Sequence, residues 1–328
     1  MTRRVLAALL LVALPAVALA QEELKLSGEY PVEGMPAGNL SGLTSCGDGL
    51  WAVSDREDDR LYRLSAEAGV LKAEAERFEA PPVPPSGLPG GLRMRAWVAS
   101  QFRGGALDFE GLSCDAAGNR YLVSETHAAV LKIPPAGSAE WLALPASLVR
   151  QARVNGMLSH FNALFEGVAI DPQGSRLWLA AERERRGLLV LHKPQSQWAC
   201  KGGCVLISET GTEPPPAQLN SAPAPKDFSD LTFFADKLYS LERQGYRICR
   251  RSPVNGEVER CWSFAAEALN NEARRYGSQP FGMAEGLWLD ATGAWIALDT
   301  GQQTRQDGEQ RPIIWHFAAP AAGWGASK

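Results

Sequence analysis

Beyond residue 20 no stretch of this 328-residue chain approaches 18 consecutive apolar residues, so that part of the sequence offers no membrane-spanning helix. A Gly-x-Ser-x-Gly elbow, a His-Glu-x-x-His helix and a P-loop are all missing. Serine-hydrolase, zincin and nucleotide-hydrolase readings therefore lose their usual support. Positive charge is not in excess either. The formal net charge is −4, and it becomes −6 once Arg3 and Arg4 are removed, so neither nucleic acid nor an anionic membrane is an expected partner. Histidine is scarce, with four residues in all.

Residues 1–20 contain Arg3 and Arg4, an apolar run from Val5, and the ending Ala18, Leu19, Ala20. This pattern predicts a cleaved signal peptide and a mature chain, residues 21–328, that is periplasmic or secreted. No Cys follows to suggest a lipid anchor. The six cysteines, Cys46, Cys114, Cys200, Cys204, Cys249 and Cys261, suit an oxidising compartment, although six cysteines allow fifteen pairings. The run CKGGC at 200–204 has the form of a zinc half-site, but no second Cys or His pair has matching spacing. A disulfide staple is the expectation.

What the chain does have is a repeated phrase. EGLSCDAAGNRYLVSE at 110–125 returns as EGLWLDATGAWIALD at 285–299, as SGLTSCGDGLWAVSD at 41–55, as EGVAIDPQGSRLWLAAE at 166–182 and as DLTFFADKLYSLE at 230–242. The starts are 69, 56, 64 and 55 residues apart. A period near sixty in a strand-rich chain marks a β-propeller. Each copy reads as a hairpin, with two short apolar runs around a Gly-containing turn, and the segments that follow supply two more strands. AAVLKI and EWLALP follow the second copy, GLLVLHK and CVLISE the third, YRICRR and EVERCWSF the fourth. Four antiparallel strands make one blade.

After the last copy only PIIWHFA, residues 312–318, reads as a clear strand. LKLSGEYPVE at 24–33 has no hairpin of its own and can supply the missing strand, hiding the terminal edges. Residues 285–328 and 21–40 together number 64, one repeat's worth. The expectation is one all-β domain over 21–328 with five four-stranded blades. Six is the alternative if a long connection conceals strands. Those connections, near 81–109, 146–165, 210–229 and 265–284, hold most of the proline and two helix-like stretches, ASLVRQARVNGML and AAEALNNEARRYG. On this scheme Cys46 pairs with Cys114 between neighbouring inner strands, Cys200 with Cys204 across a turn, and Cys249 with Cys261 between outer strands.

The residue before the first strand of a hairpin and the residue ending the second lie at one end of it, so the acids framing each copy should share one rim. The opening acids are Glu110, Glu166, Asp230 and Glu285, with Ser41 in the matching place of the first copy. The closing acids are Asp55, Glu125, Glu182, Glu242 and Asp299. So many like charges need compensation. A hard divalent cation, Ca²⁺ above all, would supply it through oxygen ligands, with Glu110, Glu166, Asp230 and Glu285 as its candidate ligands. Arginines are the other source: Arg56, Arg183 and Arg243 follow closing acids, and Arg103 and Arg275 lie in rim loops. Arg103, Arg183, Arg243 and Arg275 are the candidate binders of an anionic group. Glu125, Glu182, His127 and His160 are the candidates for proton transfer. A residue repeated in every blade can equally serve the repeat itself, by accepting backbone N–H bonds from the next blade. Gly111, Gly167 and Gly286 are explained by close backbone approach at the inner strands.

DFEGLSCDAAGNRYLVSET, NALFEGVAIDPQGSRLWLAAERE and GMAEGLWLDATGAWIALDTG resemble a secreted bacterial family labelled esterase-like activity of phytase. More distantly, they resemble the SdiA-regulated group of exported propellers. The resemblance implies a phytase-like propeller, export, and calcium-dependent hydrolysis of an ester or phosphoester. It carries over Glu110, Glu166 and Glu285, and less directly Asp230, where Glu-Gly has become Asp-Leu. The Asp run ending in Pro that marks the better-known calcium phytases is absent. Three functional readings remain: a monomeric hydrolase of a small anionic or ester substrate, a non-catalytic propeller that binds a ligand or partner, and a lactonase-like calcium propeller, for which Asn162 near Glu166 is the extra support.

Overall fold

The structure, a computed structural model, describes residues 21–325 apart from 37, 48, 278–282 and 302. The signal peptide expected over residues 1–20 lies outside the described residues. Among the described residues no helix is long and apolar enough to cross a membrane.

The chain is all-β apart from short helices in the connections. The first copy of the repeat opens an antiparallel meander of Gly42–Cys46, Gly49–Val53, Arg60–Glu67 and Val70–Arg77. The second is Phe109–Cys114, Arg120–Ser124, Ala129–Ile133 and the short Glu140–Trp141. The third is Phe165–Ile170, Arg176–Ala181, Arg185–His192 and Val205–Thr210. The fourth is Asp230–Phe234, Lys237–Glu242, Arg247–Arg251 and Val258–Ser263. The fifth copy gives Ala284–Leu289, Gly293–Leu298 and Ile313–Ala318, and Leu26–Glu33 adds antiparallel to the last of these. The same N-terminal strand then pairs parallel with Val70–Arg77 through Val32 and Glu33, so the fifth and first units form one sheet of eight strands. Glu22–Glu23 pairs with the outer strand Val258–Ser263 of the fourth unit.

The leading strands lie side by side: 42–46 beside 109–114, that beside 165–170, then 230–234, then 284–289, which lies beside 42–46. Buried apolar clusters fill the spaces between successive units. Trp51, Phe109 and Leu131 belong to the first and second, Val123, Val168 and Leu177 to the second and third, and Trp178, Phe228 and Leu238 to the third and fourth. Tyr239, Trp262, Leu287 and Ile296 join the fourth and fifth, and Leu43, Tyr62, Ala297 and Ile314 the fifth and first. A strand with a cluster on each face is apolar on both faces, and all six residues of Phe165–Ile170 are buried.

Each part of the repeated phrase has its own work. The hairpin Asp holds the turn: Asp171 Oδ1 accepts from the N–H groups of Ser175 and Arg176 at 2.6 and 2.9 Å, and Asp290 Oδ1 from those of Thr292 and Gly293 at 2.6 and 2.9 Å. The Gly after Glu lets neighbouring backbones meet. A Cβ on Gly111 would stand 2.8 Å from the Glu166 carbonyl oxygen, and one on Gly167 2.8 Å from the Leu231 nitrogen. At Glu110, Glu166 and Glu285 the strand register slips by one residue, so each Glu is the extra residue of a β-bulge.

The disulfides are Cys46–Cys114, Cys200–Cys204 and Cys249–Cys261, the pairs that the repeat predicts. Of the helix-like stretches, the first contains the helix Ser147–Val154 and the second the helix Ala265–Leu269 and a 3₁₀ turn, Glu272–Arg274. A longer helix, Gly90–Arg103, stands in the proline-rich connection after the first unit, where nothing in the reading of the sequence placed one. Its Gly-Gly start and the prolines before it disguise it.

Candidate functional site: two acidic clusters and an arginine hub

The bulges bring the opening acids onto the closing acids of neighbouring units. Glu125, Glu166 and Glu182 are all buried, and one carboxylate oxygen from each lies within 4.8 Å of the others. Asp55, Asp108 and Glu110 form a second group with the same spacing. The sequence reading missed Asp108, which adopts a left-handed backbone (φ 55°) just before the leading strand and accepts from the Thr126 hydroxyl at 3.0 Å. The signal available was its place directly before Phe-Glu-Gly.

In the first group each outer carboxylate has one oxygen committed. Glu125 Oε1 accepts from the Leu164 N–H at 3.1 Å, tying the second unit to the third. Glu182 Oε1 meets Arg183 and, at 2.8 Å, Arg243. Glu182 Oε2 is buried without a hydrogen-bond partner among the described residues. Burial, then the negative charges of Glu182, Glu110 and Glu125, push the Glu166 carboxyl well above the usual range, with Arg243 opposing. Burial and the charges of Asp55, Asp108, Glu125 and Asp299 do the same to Glu110. The two groups therefore feel each other across the centre.

Arg243 is the hub on the other side. Its guanidinium reaches Glu182, Asp227 at 3.3 Å, and Glu285. Asp227, a second buried acid that the repeat did not flag, is pushed up to about 6 by burial, against the pull of Arg243. Arg183, beside Glu182, also donates to the Asn162 carbonyl at 2.6 Å. Arg183, Arg243, Glu285 and Asp299 line a cavity of roughly 450 Å³.

Other predicted residues stand apart. Asp230 lies outside both clusters: its Oδ1 accepts from Leu231 N–H and its Oδ2 from Leu287 N–H, each at 2.7 Å, so it bridges the fourth leading strand to the fifth. Glu285 contacts Arg243 and belongs to neither acidic cluster. Glu242 is saturated by arginines, Arg186 at 3.0 Å, Arg251 at 2.7 Å, and Arg247. Burial raises its pKa, but those arginines more than offset this and hold its carboxyl at about 2. Asp299, raised by burial, accepts from the Gly301 N–H at 2.9 Å. Arg275 donates from Nε to the Leu269 carbonyl at 2.8 Å and lines a different cavity. Arg103 ends its helix, and its side chain lies outside the described residues. His127 is half-buried, and burial lowers its pKa; the charges of Asp58 and Asp108 act against that. His160 is exposed, with its Nδ1 accepting from the Asn162 N–H at 3.3 Å.

Among solved structures the chain is similar to Myxococcus xanthus glutaminyl cyclase, at 13% identity over 90% of this chain and 97% of that one, with a TM-score of 0.48. It is similar to the PQQ-bound aldose sugar dehydrogenase of Streptomyces coelicolor at 12% identity, over 90% and 98% of the two chains, with a TM-score of 0.45. A chain of the nidogen/laminin complex is similar at 12% identity, over 86% and 85%, with a TM-score of 0.46. No curated protein matches. A family model does, over residues 35–246, which include both acidic clusters, the arginine hub except Glu285, and the first four copies of the repeat. The chain belongs to the phytase-like family described as esterase-like activity of phytase.

Proposed function

We propose that the protein is an exported hydrolase of a phosphate or carboxylic ester, built on a single five-bladed propeller domain closed by its N-terminal strand. The cyclic order of leading strands and the pairing of Leu26–Glu33 with Ile313–Ala318 support five blades and that closure. The observation that carries the function is the cluster Glu125, Glu166 and Glu182, three buried carboxylates around one point with a Glu182 oxygen left without a partner among the described residues.

The donor set fits a hard divalent cation such as Ca²⁺: every ligand atom is a carboxylate oxygen, and neither Cys nor His is among them. Glu125, Glu166 and Glu182 would hold it, and bound there it would polarise an ester or phosphoryl oxygen. Arg183 and Arg243 stand in the cavity beside this cluster, where their guanidinium groups would orient an anionic substrate. His127, kept neutral by burial, can accept a proton on the side of Asp108 and Glu110. Burial and the charges of Glu182, Glu110 and Glu125 push the Glu166 carboxyl up, and a cation held there would relieve that repulsion.

Thermal unfolding in EDTA and then with added Ca²⁺, beside metal analysis and an ester and phosphoester panel, tests this. Saturating the site at a hundredfold excess over Kd would stabilise the fold by about 2.7 kcal/mol. Glu166→Gln should abolish that shift. No shift, no metal and no turnover would sink the proposal.

A second reading has its own support. Arg243 compensates Glu182, Asp227 and Glu285 from within the chain, as a non-catalytic binding propeller would require. That reading expects the same melting curve with and without cation.

A further inference from the structure

The helix Gly90–Arg103 is held to the body of the protein along one stripe. Leu88, just before it, is buried, Leu92 packs half-buried against the cluster between the second and third units, and Ala96 and Ser100 are buried. These positions recur every four residues, which keeps them on one face of the helix. The opposite face is apolar and open. Met94, Trp97 and Val98 are 59%, 53% and 41% exposed, and they are three of the six large apolar residues exposed among the described residues. At 100° per residue they form a crest over an arc of roughly 100°, with the exposed Arg93 on one shoulder and the exposed Arg95 on the other. Single exposed apolar residues need no explanation, but three side by side with a tryptophan at their centre mark a contact surface.

Charge around the crest is of one sign. From residue 80 to residue 107 the chain has Arg93, Arg95 and Arg103 and neither Asp nor Glu. The net charge of −4 belongs to the whole chain, whereas at physiological ionic strength an exposed charge acts over only about 8 Å. A partner complementary to this face is therefore negative at its surface and apolar just beneath. A convex crest fits a deformable plane better than a second rigid surface, and a lipid leaflet is such a plane: it takes tryptophan at headgroup level while guanidinium groups meet the phosphates. A second copy docking through the same face would set these arginines against each other. Beyond the helix, Gly104 and Gly105, both at φ 78°, lead towards Asp108, and Gly105 packs on the Asp55 backbone, so the helix stands at the lip of the acidic face.

We infer that Gly90–Arg103 is a docking element for an anionic lipid surface, with Met94, Trp97 and Val98 seated among the headgroups and Arg93 and Arg95 against lipid phosphates. The docking is reversible, because stable anchoring takes more than one short crest. It brings the acidic rim to the lipid boundary and holds whether or not the acidic clusters catalyse.

The test is sedimentation of the full mature chain with vesicles of phosphatidylglycerol and phosphatidylcholine, against vesicles of phosphatidylcholine alone. Wild type should bind the anionic vesicles about tenfold more tightly at about 0.1 M salt, and most of that preference should vanish at about 0.5 M. Arg93→Gln and Arg95→Gln should each weaken anionic binding about fivefold. Trp97→Ser should weaken it about tenfold, since roughly half of a tryptophan's surface no longer leaves water. Val254→Ser, which removes an equally exposed apolar residue from a hairpin of the fourth unit, should leave binding within twofold. All four sites are exposed, so melting curves should match wild type. Glu166→Gln should also bind within twofold, which separates this inference from the hydrolase reading. No binding to either vesicle, equal binding to both, or anionic binding that neither the arginine variants nor Trp97→Ser weakens would overturn it. A solution dimer that Trp97→Ser dissolves, without vesicle binding, would assign the face to a second copy and overturn it too.

Discussion

Replacing Arg243 with methionine removes the cation that faces Glu182, Asp227 and Glu285 together among the described residues, while keeping an unbranched side chain. Breaking a buried ion pair by deleting one partner costs about 3–5 kcal/mol, because the other charge stays buried. The acids themselves give a second estimate. Asp227 stands at about 6 instead of 3.8 with Arg243 still beside it. That displacement amounts to about 3 kcal/mol at pH values above 6, and it grows when the guanidinium goes. The sign follows from proton counting. A carboxyl whose folded pKa is raised binds more protons folded than unfolded, so its contribution is present below the ordinary pKa and is lost as pH rises through the folded one. R243M should therefore be about 3–5 kcal/mol less stable than wild type at pH 8. The deficit should shrink by at least about 1.4 kcal/mol, one pKa unit on one group, by pH 5. Urea unfolding of both proteins in EDTA at pH 5, 6, 7 and 8, with equal m-values, measures it. A deficit below about 1 kcal/mol at pH 8, the value of an exposed pair, would refute the hub. So would a deficit that does not vary with pH.

Asp230→Ala should cost about 2–6 kcal/mol in urea unfolding, since it leaves the buried N–H groups of Leu231 and Leu287 unpartnered; a loss under 1 kcal/mol would show that the bridge is not needed. Glu242 is held at about 2 instead of 4.5, so its contribution of about 3 kcal/mol is present above pH 4.5 and is lost as pH falls towards 2. Glu242→Gln should flatten the acid limb of the stability curve relative to wild type, and superimposable limbs would contradict this. Cys46–Cys114 closes a loop spanning 68 positions and joins two leading strands. Replacing both with Ser should lower stability by about 4 kcal/mol on the chain-entropy estimate, and non-reducing peptide mapping of the parent should recover that linkage.

The architecture was legible because the repeat is written in residues with strong local demands. Asp in the hairpin turn, Gly at the backbone approach and short apolar runs recur through most of the units, and the disulfide pairs followed from the strand positions they implied. The helix Gly90–Arg103 was not legible, since its start is Gly-Gly and its support comes from outside the segment. At the site, the composition of the rim could be read but not its partition. Nothing local tells that Glu242 meets Arg186, Arg247 and Arg251 while Glu182 keeps an oxygen without a partner among the described residues, because those contacts join different units or different strands. Asp108 and Asp227 were not legible because they precede their leading strands by one and by three residues, outside the repeated phrase.

The fourth unit explains why the opening acids part ways. Where the sequence keeps Glu-Gly, the strand bulges at Glu, and the Gly lets the next backbone close in. A bulge re-aims its extra residue out of the ladder, and Glu110 and Glu166 thereby reach the acids of neighbouring positions. Where Glu-Gly has become Asp-Leu there is no register shift and the side chain is one methylene shorter. The shorter carboxylate accepts from the Leu287 N–H of the next leading strand. Glu285 has the bulge but faces Arg243, so its charge is met by a cation from the chain. One motif thus yields a cluster acid, a backbone bridge or an arginine partner, and which of these it becomes is decided by the residue after the acid and by what the next unit places opposite.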